Sequence, residues 1–284
     1  TLFKYFSLVL FFWLIQWVGL IKTSLDHGIN YVETGPWYGQ GTSELTIGKA
    51  LSDVPRDTFF VGSKVGRYEK EMEKMFDFSA EKTEAGVDNT LRRLGLDYVD
   101  IIQVHDATFA PDISVVLKET LPALERAVRD GKARYIGLAD YDIDLMQEIV
   151  EESEVKISTI LSYAKSTLFD NLTKRHVYLS FQDKGIGIIN AATTGMGLLS
   201  SKGPQIWHPA SDDIKAICRK ASEYCKVKPP DTTRHRNPGK VGIKLFSKPG
   251  TNYMRFKVIW LLLSIGVSSH IKSGFELIMQ FCSL

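Results

Sequence analysis

The amino-acid sequence predicts an α/β fold, a (β/α)8 TIM barrel with an incomplete set of recognisable strands. Between residues 31 and 194, short apolar runs rich in β-branched residues alternate with amphipathic stretches, as they do in βαβ units. The apolar runs are nearly continuous, which is typical of strands buried on both faces of a parallel sheet. At 284 residues, the chain is also long enough for one such barrel, which typically needs about 250 residues.

The predicted strands alternate with helices, except that no helix is predicted between the fifth and the sixth strand. The strand-like runs occupy residues 31–34, 59–65, 98–105, 133–140, 157–163 and 186–193. The helical patterns occupy residues 43–51, 79–94, 113–130, 142–152 and 212–226. Ser79 is a suitable N-cap for the second helix, because a serine side chain accepts a hydrogen bond from a backbone N–H two or three residues later. Since a closed barrel has eight strands, two strands lack a clear counterpart in this pattern.

Composition argues against several classes of protein. The formal net charge is only +2, so the overall charge indicates no nucleic-acid partner. The three cysteines, Cys218, Cys225 and Cys282, show neither metal-ligand spacing nor a disulfide framework. We therefore expect no metal site, no nucleic-acid partner and a reducing compartment.

Four polar residues of different chemical types follow or end the first three predicted strands. Glu33 follows the first strand and Tyr38 lies five positions later, while Lys64 and His105 lie at the ends of the second and third strands. The carboxyl ends of barrel strands meet at one face, which is where such barrels place their active sites. Each residue alone is more often a packing or solvated residue. As an ordered set, a carboxylate, a phenol, an ammonium and an imidazole indicate a catalytic site.

Longer motifs surround these four residues. Residues 28–39 and 94–106 resemble two signatures of the aldo-keto reductases. Residues 76–80 and 203–210 resemble the branch of that family that contains L-galactose and D-arabinose dehydrogenase-like members. The resemblance covers approximately residues 20–227 and implies a TIM barrel that binds NADP or NAD.

The resemblance also implies a function for each of the four residues. It predicts hydride transfer between nicotinamide and an aldose or another small carbonyl or alcohol substrate. Tyr38 exchanges a proton with the substrate oxygen, Lys64 lowers the pKa of that phenol, and Glu33 holds the ammonium in place. His105 donates a hydrogen bond to the substrate oxygen and orients it.

Glu33 departs from the family pattern, which has Asp at this position. The longer side chain carries its carboxylate farther by roughly one bond length, and a misplacement of about 1 Å can reduce a rate on the order of a hundredfold. The alternative function is therefore a truncated, catalytically weak or inactive aldo-keto reductase-like protein.

Further contacts are expected at the ends of the later strands. The resemblance predicts cofactor contacts for Glu33, Asp140, Tyr163, Gly197 and Leu198. It predicts substrate contacts for Trp37, His105 and Trp207, with Tyr68 and Phe109 as additional lining residues. Asp140 is equally suited to cap a helix. After residue 227 no segment resembles the family's clamp for the adenosine end, and the spacing of Arg234, Arg236 and Lys240 does not indicate one.

The N-terminal end also departs from the family pattern. By that pattern the recognisable strands are the second to the seventh, and the first belongs before residue 20, within the apolar run 8–21. Three interpretations are open: a signal or membrane anchor, a substitute strand with the start of a helix, or foreign sequence. The uninterrupted apolar part, residues 8–15, is short for a membrane span of about 20 residues. We favour foreign sequence and expect a cytoplasmic protein, with anchoring through residues 8–21 as the alternative.

The C-terminal end raises the same question. Acidic residues nearly vanish between residues 226 and 275, and a basic stretch of this kind is suited to bind phosphates or anionic lipid. We favour the interpretation that it lies outside the fold, although the apolar run beginning at Val258 is compatible with a strand or a helix. The predicted organisation is an apolar segment at 1–20, a barrel core at 21–227 and a tail at 228–284.

Overall fold

A parallel sheet curled into a half-barrel, with helices along its outer side, forms the centre of the molecule. The structure is a computed structural model that describes residues 15–165, 175–200, 202–227, 242–243 and 256–260. Six neighbouring strands of the sheet are β1 Tyr31–Glu33, β2 Phe60–Val65, β3 Val99–His105, β4 Ala133–Asp140, β5 Thr159–Tyr163 and β6 Gly187–Ala191. Each pairs in parallel with the next, so the predicted βαβ order is confirmed.

Helices connect these strands. They are α1 at residues 15–26, α2 Thr42–Leu51, α3 Met72–Met75, α4 Ala80–Leu94, α5 Ile113–Val115, α6 Leu121–Arg129, α7 Ile143–Glu152, α8 Arg175–Asp183 and α9 Asp212–Val227. The shorter segments are two 3₁₀ turns, Arg56–Thr58 and Ala107–Phe109, and a π-helical segment, Val116–Thr120, between α5 and α6. The predicted cap of α4 is confirmed, because the hydroxyl of Ser79 accepts a hydrogen bond from the backbone N–H of Lys82 at 3.3 Å.

Alternation along the strands separates two apolar layers. Side chains such as Val32, Ile102 and Leu138 point towards the helices and belong to the larger core. Side chains that point to the inner face of the half-barrel form a second cluster, whose buried members are Tyr31, Ile101, Ala139, Leu161, Ile189 and Ala191. Because successive side chains of a strand face opposite sides, Glu33 lies on the same inner face as Tyr31.

Helix α1 packs against the larger core. Leu20 and Ile21 are buried, and Trp17 and Val18 are partly buried against the same cluster. A helix at this place is one part of the second interpretation of the N-terminal run, which combines a substitute strand with the start of a helix. The part of that run at residues 8–14 lies outside the described residues, and the boundary at residue 21 stays a prediction. Within the described chain, no helix combines the length and apolarity needed to cross a membrane.

A strand from the C-terminal part of the chain lies on the other side of β1. Strand β8, Phe256–Trp260, pairs in parallel with β1, and β7, Gly242–Ile243, pairs antiparallel with β8. Of the two conformations considered for the run at Val258, the strand is observed at residues 256–260. Most of the basic stretch lies outside the described residues, as do Cys282 and the basic residues Arg234, Arg236 and Lys240.

Candidate active site

The four predicted catalytic residues lie at the carboxyl ends of three neighbouring strands. Glu33 is the last residue of β1, His105 is the last residue of β3, and Lys64 is the last but one of β2. Tyr38 lies in the turn between β1 and α2, where its backbone N–H donates to the carbonyl oxygen of Gly35 at 3.1 Å. The fold thus brings all four predicted residues to one edge of the half-barrel.

Glu33 and Lys64 form a buried ion pair. The Lys64 Nζ donates to Glu33 Oε1 at 2.5 Å and to the carbonyl oxygen of Thr34 at 2.7 Å. Both residues are 1% exposed. Burial alone lowers the pKa of Lys64, but Glu33 and Tyr38 together raise it above its ordinary value. Lys64 is therefore a cation at neutral pH, and the added methylene of Glu33 does not prevent the contact.

Two further donors hold the carboxylate of Glu33. Gln103, on β3, donates from Nε2 to Oε1 at 2.8 Å. The hydroxyl of Tyr31 donates to Oε2. Neither residue was expected from the sequence, since each reads as an ordinary member of a buried strand.

Tyr38 lies between the ammonium and the imidazole. Its ring centroid is 4.8 Å from Lys64 Nζ and 5.8 Å from the centroid of the His105 ring, with an edge-to-face arrangement. Burial raises the pKa of the Tyr38 phenol, and Lys64 lowers it, as expected. The net pKa nevertheless lies above the ordinary value. Desolvation of the phenolate outweighs the nearby cation.

His105 is a neutral imidazole in this environment. Burial lowers its pKa well below the ordinary value, and the cations Lys64 and Arg67 lower it further. Its Nδ1 is buried and has no hydrogen-bond partner among the described residues, while Nε2 lies 3.7 Å from Asp106 Oδ2. A neutral imidazole donates one hydrogen bond. His105 is therefore suited to donate to a neutral carbonyl oxygen.

A cationic and aromatic rim follows the strand ends. Arg67 donates from Nη1 to Asp106 Oδ2 at 2.6 Å, and its guanidinium lies 4.1 Å from the centroid of the Trp37 ring. The rings of Phe76 and Phe109 stack with centroids 4.5 Å apart. Sequence reasoning missed Arg67 and Asp106, although the position of each, three residues after Lys64 and one after His105, was a usable signal.

Asp140 ends β4 and organises a neighbouring loop. Its Oδ2 accepts from the Thr108 N–H at 2.9 Å and its Oδ1 accepts from the Thr108 hydroxyl at 2.7 Å. The cap of α7 is Asp142, whose Oδ1 accepts from two backbone N–H groups of the first turn. The alternative that Asp140 caps this helix is therefore wrong. Tyr163 ends β5 with its ring 5.1 Å from that of Tyr141.

The segment after β6 holds the remaining predicted residues. Gly197 has a φ of 97°, a conformation that favours glycine, and Leu198 is buried. His208 ties the following loop back through a contact of 3.0 Å between Nε2 and the carbonyl oxygen of Gly195. Trp207, predicted to contact substrate, is 68% exposed on that loop.

Two of the lining candidates lie away from the inner face. The hydroxyl of Tyr68 donates to the Lys82 carbonyl of α4 at 3.3 Å, so this side chain packs on the helical side. Phe109 is half exposed on the rim. Among the described residues, no group of three or more His, Cys, Asp or Glu side chains is placed to hold a metal ion.

The sequence profile of the Aldo/keto reductase family matches residues 17–234. The chain belongs to the aldo/keto reductase family. The departure at Glu33 is therefore a variation within the family, and the half-barrel corresponds to part of the family's (β/α)8 fold.

Two curated relatives and one solved structure are informative. The chain is 38% identical over 219 residues to L-galactose dehydrogenase of Arabidopsis thaliana. This alignment covers 74% of this chain and 65% of that protein. It is 31% identical over 225 residues to D-arabinose 1-dehydrogenase of Saccharomyces cerevisiae. This alignment covers 73% of this chain and 63% of that protein. The chain thus spans slightly less than two thirds of both relatives. An aldo-keto reductase from Bacillus halodurans in its holo form aligns with a TM-score of 0.58 and 26% identity, over 72% of this chain and 70% of that chain.

Proposed function

We propose that this chain is an NAD(P)-dependent oxidoreductase that transfers a hydride between nicotinamide and an aldose or another small carbonyl or alcohol substrate. The single observation that carries the proposal is the arrangement at the strand ends. A buried Glu33–Lys64 ion pair stands beside the phenol of Tyr38, and the neutral imidazole of His105 lies against that phenol.

Tyr38 acts as the proton donor when a carbonyl is reduced. Burial raises the pKa of the phenol, which is therefore protonated at neutral pH. As negative charge develops on a substrate oxygen, the fixed cation of Lys64 stabilises the phenolate that remains after proton transfer. His105 donates a hydrogen bond to the same oxygen and fixes its position. Glu33 keeps the ammonium directed at the phenol.

The residues at the later strand ends fit a nicotinamide cofactor, either NADP or NAD. When bound, the nicotinamide supplies or accepts the hydride. Tyr163 offers a half-buried aromatic ring at the end of β5, and Gly197, after β6, has a left-handed backbone with a φ of 97°. We assign the same role to Asp140 at the end of β4, to Leu198 after β6 and to Glu33 at the end of β1. The buried Nδ1 of His105, which has no hydrogen-bond partner among the described residues, is a group that a ligand would satisfy.

An aldose is the substrate class that we favour. The two curated relatives described above are sugar dehydrogenases, and a sugar needs polar groups next to apolar ring faces. Trp37 and His105 provide an aromatic ring and a hydrogen-bonding group near the strand ends, and Trp207 is exposed on the loop after β6. We propose a cytoplasmic location without a nucleic-acid partner, on the basis of the charge and cysteine content, and do not favour membrane association.

A catalytically weak or inactive family member is the alternative. The observation that favours it is Glu33, whose side chain is one methylene longer than the aspartate of the family pattern. Against it stands the 2.5 Å contact between Glu33 and Lys64, which preserves the ion pair.

The proposal is tested by titrating purified full-length protein with NADPH and NADH while following the quenching of tryptophan fluorescence. Saturable binding in the micromolar range is expected for at least one nucleotide. Reduction of aldehydes or oxidation of aldoses is then assayed in the wild type and in Tyr38→Phe, which should bind nucleotide equally well and lose on the order of a hundredfold or more in kcat. Tyr135→Phe, an exposed tyrosine near the start of β4 and thus at the opposite end of the strands, is the matched control. A folded protein that binds neither nucleotide would refute the proposal.

A further inference from the structure

The proposed chemistry requires only Lys64 beside the carboxylate of Glu33, yet two more side chains hold this carboxylate. Its Oε1 accepts from Lys64 and Gln103, while its Oε2 accepts from the Tyr31 hydroxyl. All four side chains are buried, with exposures between 0% and 1%. The carboxylate therefore divides its two oxygens between two tasks. One oxygen binds the ammonium and the other is anchored within the half-barrel.

The backbone explains why Tyr31 can reach this carboxylate. Residues 31 and 33 lie two apart on β1, so both side chains point to the inner face. Gly62 is the register partner of Glu33 on β2. A Cβ at Gly62 would lie 2.8 Å from Glu33 Oε2 and 2.9 Å from Tyr31 Cζ, so the absence of a side chain there creates the space. The contact between Tyr31 and Glu33 therefore depends on the glycine at position 62.

The Tyr31 hydroxyl remains a donor across the working pH range. Burial raises its pKa well above the ordinary value, and the negative charge of Glu33 raises it further. The ring is fixed by the inner apolar cluster, which includes Ile101, Leu161 and Ile189. A rigid aromatic ring with a permanent O–H group is well suited to fix the position of a buried carboxylate.

We propose that Tyr31 is a positioning residue that adapts the site to glutamate at position 33. The longer side chain must turn back from the strand end to place Oε1 on Lys64. The Tyr31 hydroxyl holds Oε2 in that turned-back position, and Gly62 leaves the space for it. The inference rests on the proposed function, because it concerns the geometry of the Lys64–Tyr38 pair in that same site.

A double-mutant cycle between Tyr31→Phe and Glu33→Asp tests the inference. In the wild-type background, removal of the hydroxyl should lower kcat about tenfold with little change in KM for the carbonyl, because Oε2 loses its anchor and Lys64 shifts relative to Tyr38. In the Glu33→Asp background the shorter carboxylate does not reach the hydroxyl. Tyr31→Phe should then change kcat less than twofold. Such non-additivity is the signature of direct coupling.

Tyr98→Phe is the matched control. Its hydroxyl is also hydrogen-bonded, to Arg134 Nη2 at 2.7 Å, but it lies at the opposite end of β3. This substitution should lower kcat equally little in both backgrounds. Additive effects of Tyr31→Phe and Glu33→Asp on kcat would overturn the inference while leaving the proposed function intact.

The same cycle is measured by urea unfolding, so that the inference does not depend on activity. Coupling between the two substitutions in the unfolding midpoint is expected, and none is expected between Tyr98→Phe and Glu33→Asp. If the wild type neither binds nucleotide nor turns over substrate, the proposed function fails. The unfolding cycle then decides by itself whether Tyr31 holds Glu33, and an additive result would overturn that contact.

Discussion

The Glu33–Lys64 pair shows how strongly a buried ion pair depends on both partners. Each side chain is removed from water, and each is stabilised chiefly by the other and by a few hydrogen bonds. Removal of one partner leaves an uncompensated charge in the interior, which costs about 3–5 kcal/mol. The pair is therefore highly sensitive to substitution of either partner.

We expect Lys64→Met to lower the free energy of unfolding by about 3–5 kcal/mol, because it leaves the buried carboxylate of Glu33 without its cation. The double variant Lys64→Met/Glu33→Gln should lose less than the single variant, since it removes both charges. Urea unfolding of the purified variants measures both values.

The exposed pair between Lys132 and Asp88 provides the control. Its atoms are 2.6 Å apart, but the side chains are 38% and 57% exposed. Lys132→Met should therefore cost below about 1 kcal/mol. Equal losses for Lys64→Met and Lys132→Met would contradict the account of the buried pair.

The ionisation of Asp106, on the rim of the site, makes the stability of the folded protein depend on pH. Burial raises its pKa to about 6, although Arg67 lowers it. A carboxyl group with a raised pKa binds its proton more tightly in the folded state. The protonated carboxyl group therefore stabilises the folded state fully at a pH below its ordinary pKa of about 4. This stabilisation is lost as the pH rises through about 6.

The stability of the wild type relative to Asp106→Asn should therefore decrease as the pH rises from about 4 and level off above the raised pKa of about 6. Chemical unfolding of both proteins across this range measures the difference. Since His105 is present in both, its own titration largely cancels. A difference that does not change with pH would show that Asp106 does not titrate in this range.

At the scale of single elements, periodicity predicted most of the fold. Strand β4 was predicted at its observed bounds, and the predicted cap at Ser79 is in place. The segment from 113 to 130 was predicted as one helix, but the structure inserts π-helical turns at Val116–Thr120. A π segment continues the helical path and leaves the apolar pattern almost unchanged, so a 3.6-residue period does not reveal it.

A second polar network supports the amino ends of the strands. Asp100, at the start of β3, accepts from Arg56 Nη2 at 2.6 Å and from the Val61 N–H at 2.8 Å, and lies 3.2 Å from Arg134 Nη1. Arg56 is also stacked over Tyr98, with its guanidinium 3.9 Å from the ring centroid. In TIM barrels, conserved groups at this end serve stability, whereas those at the carboxyl end serve catalysis.

Asp100→Ala should therefore destabilise the protein by about 3 kcal/mol, because it leaves the Val61 N–H and the Arg56 guanidinium without their acceptor. Asp100→Asn retains one acceptor oxygen and should cost less. Nucleotide affinity measured below the unfolding range should stay within about twofold of the wild type in both variants, since the network lies at the end of the strands opposite Lys64. A large loss of affinity in a fully folded variant would show that the two ends are coupled.

At the scale of the whole molecule, the site was more predictable than its surroundings. Glu33, Tyr38, Lys64 and His105 converge because parallel strands bring their carboxyl ends together. Tyr31 was not predicted, because a tyrosine inside a buried strand is usually a packing residue, and its contact depends on the glycine at position 62 of the next strand. Such pairings between strands follow from register, which the sequence pattern alone does not determine.

The pairing of β8 with β1 places a strand from the C-terminal part of the chain beside the strand that carries Glu33. Parallel partners are Tyr31 with Val258, Val32 with Ile259, and Glu33 with Trp260. Strand β1 is only three residues long, so β2 and β8 on its two sides together hold the segment that carries Glu33. Without β8, this side of β1 would be an unpaired edge, which favours aggregation.

Proline in place of Val258 should therefore disturb the site from a distance. Proline has no backbone N–H and is poorly tolerated within a sheet. We expect Val258→Pro to speed hydrogen exchange of the β1 amides and to weaken nucleotide binding severalfold, because Glu33 loses the support of the neighbouring strand. Val258→Thr keeps a β-branched residue with its N–H and is the control. Unchanged exchange at Tyr31–Glu33 in Val258→Pro would mean that β1 is held by β2 alone, and that the segment carrying Glu33 does not depend on the C-terminal strand.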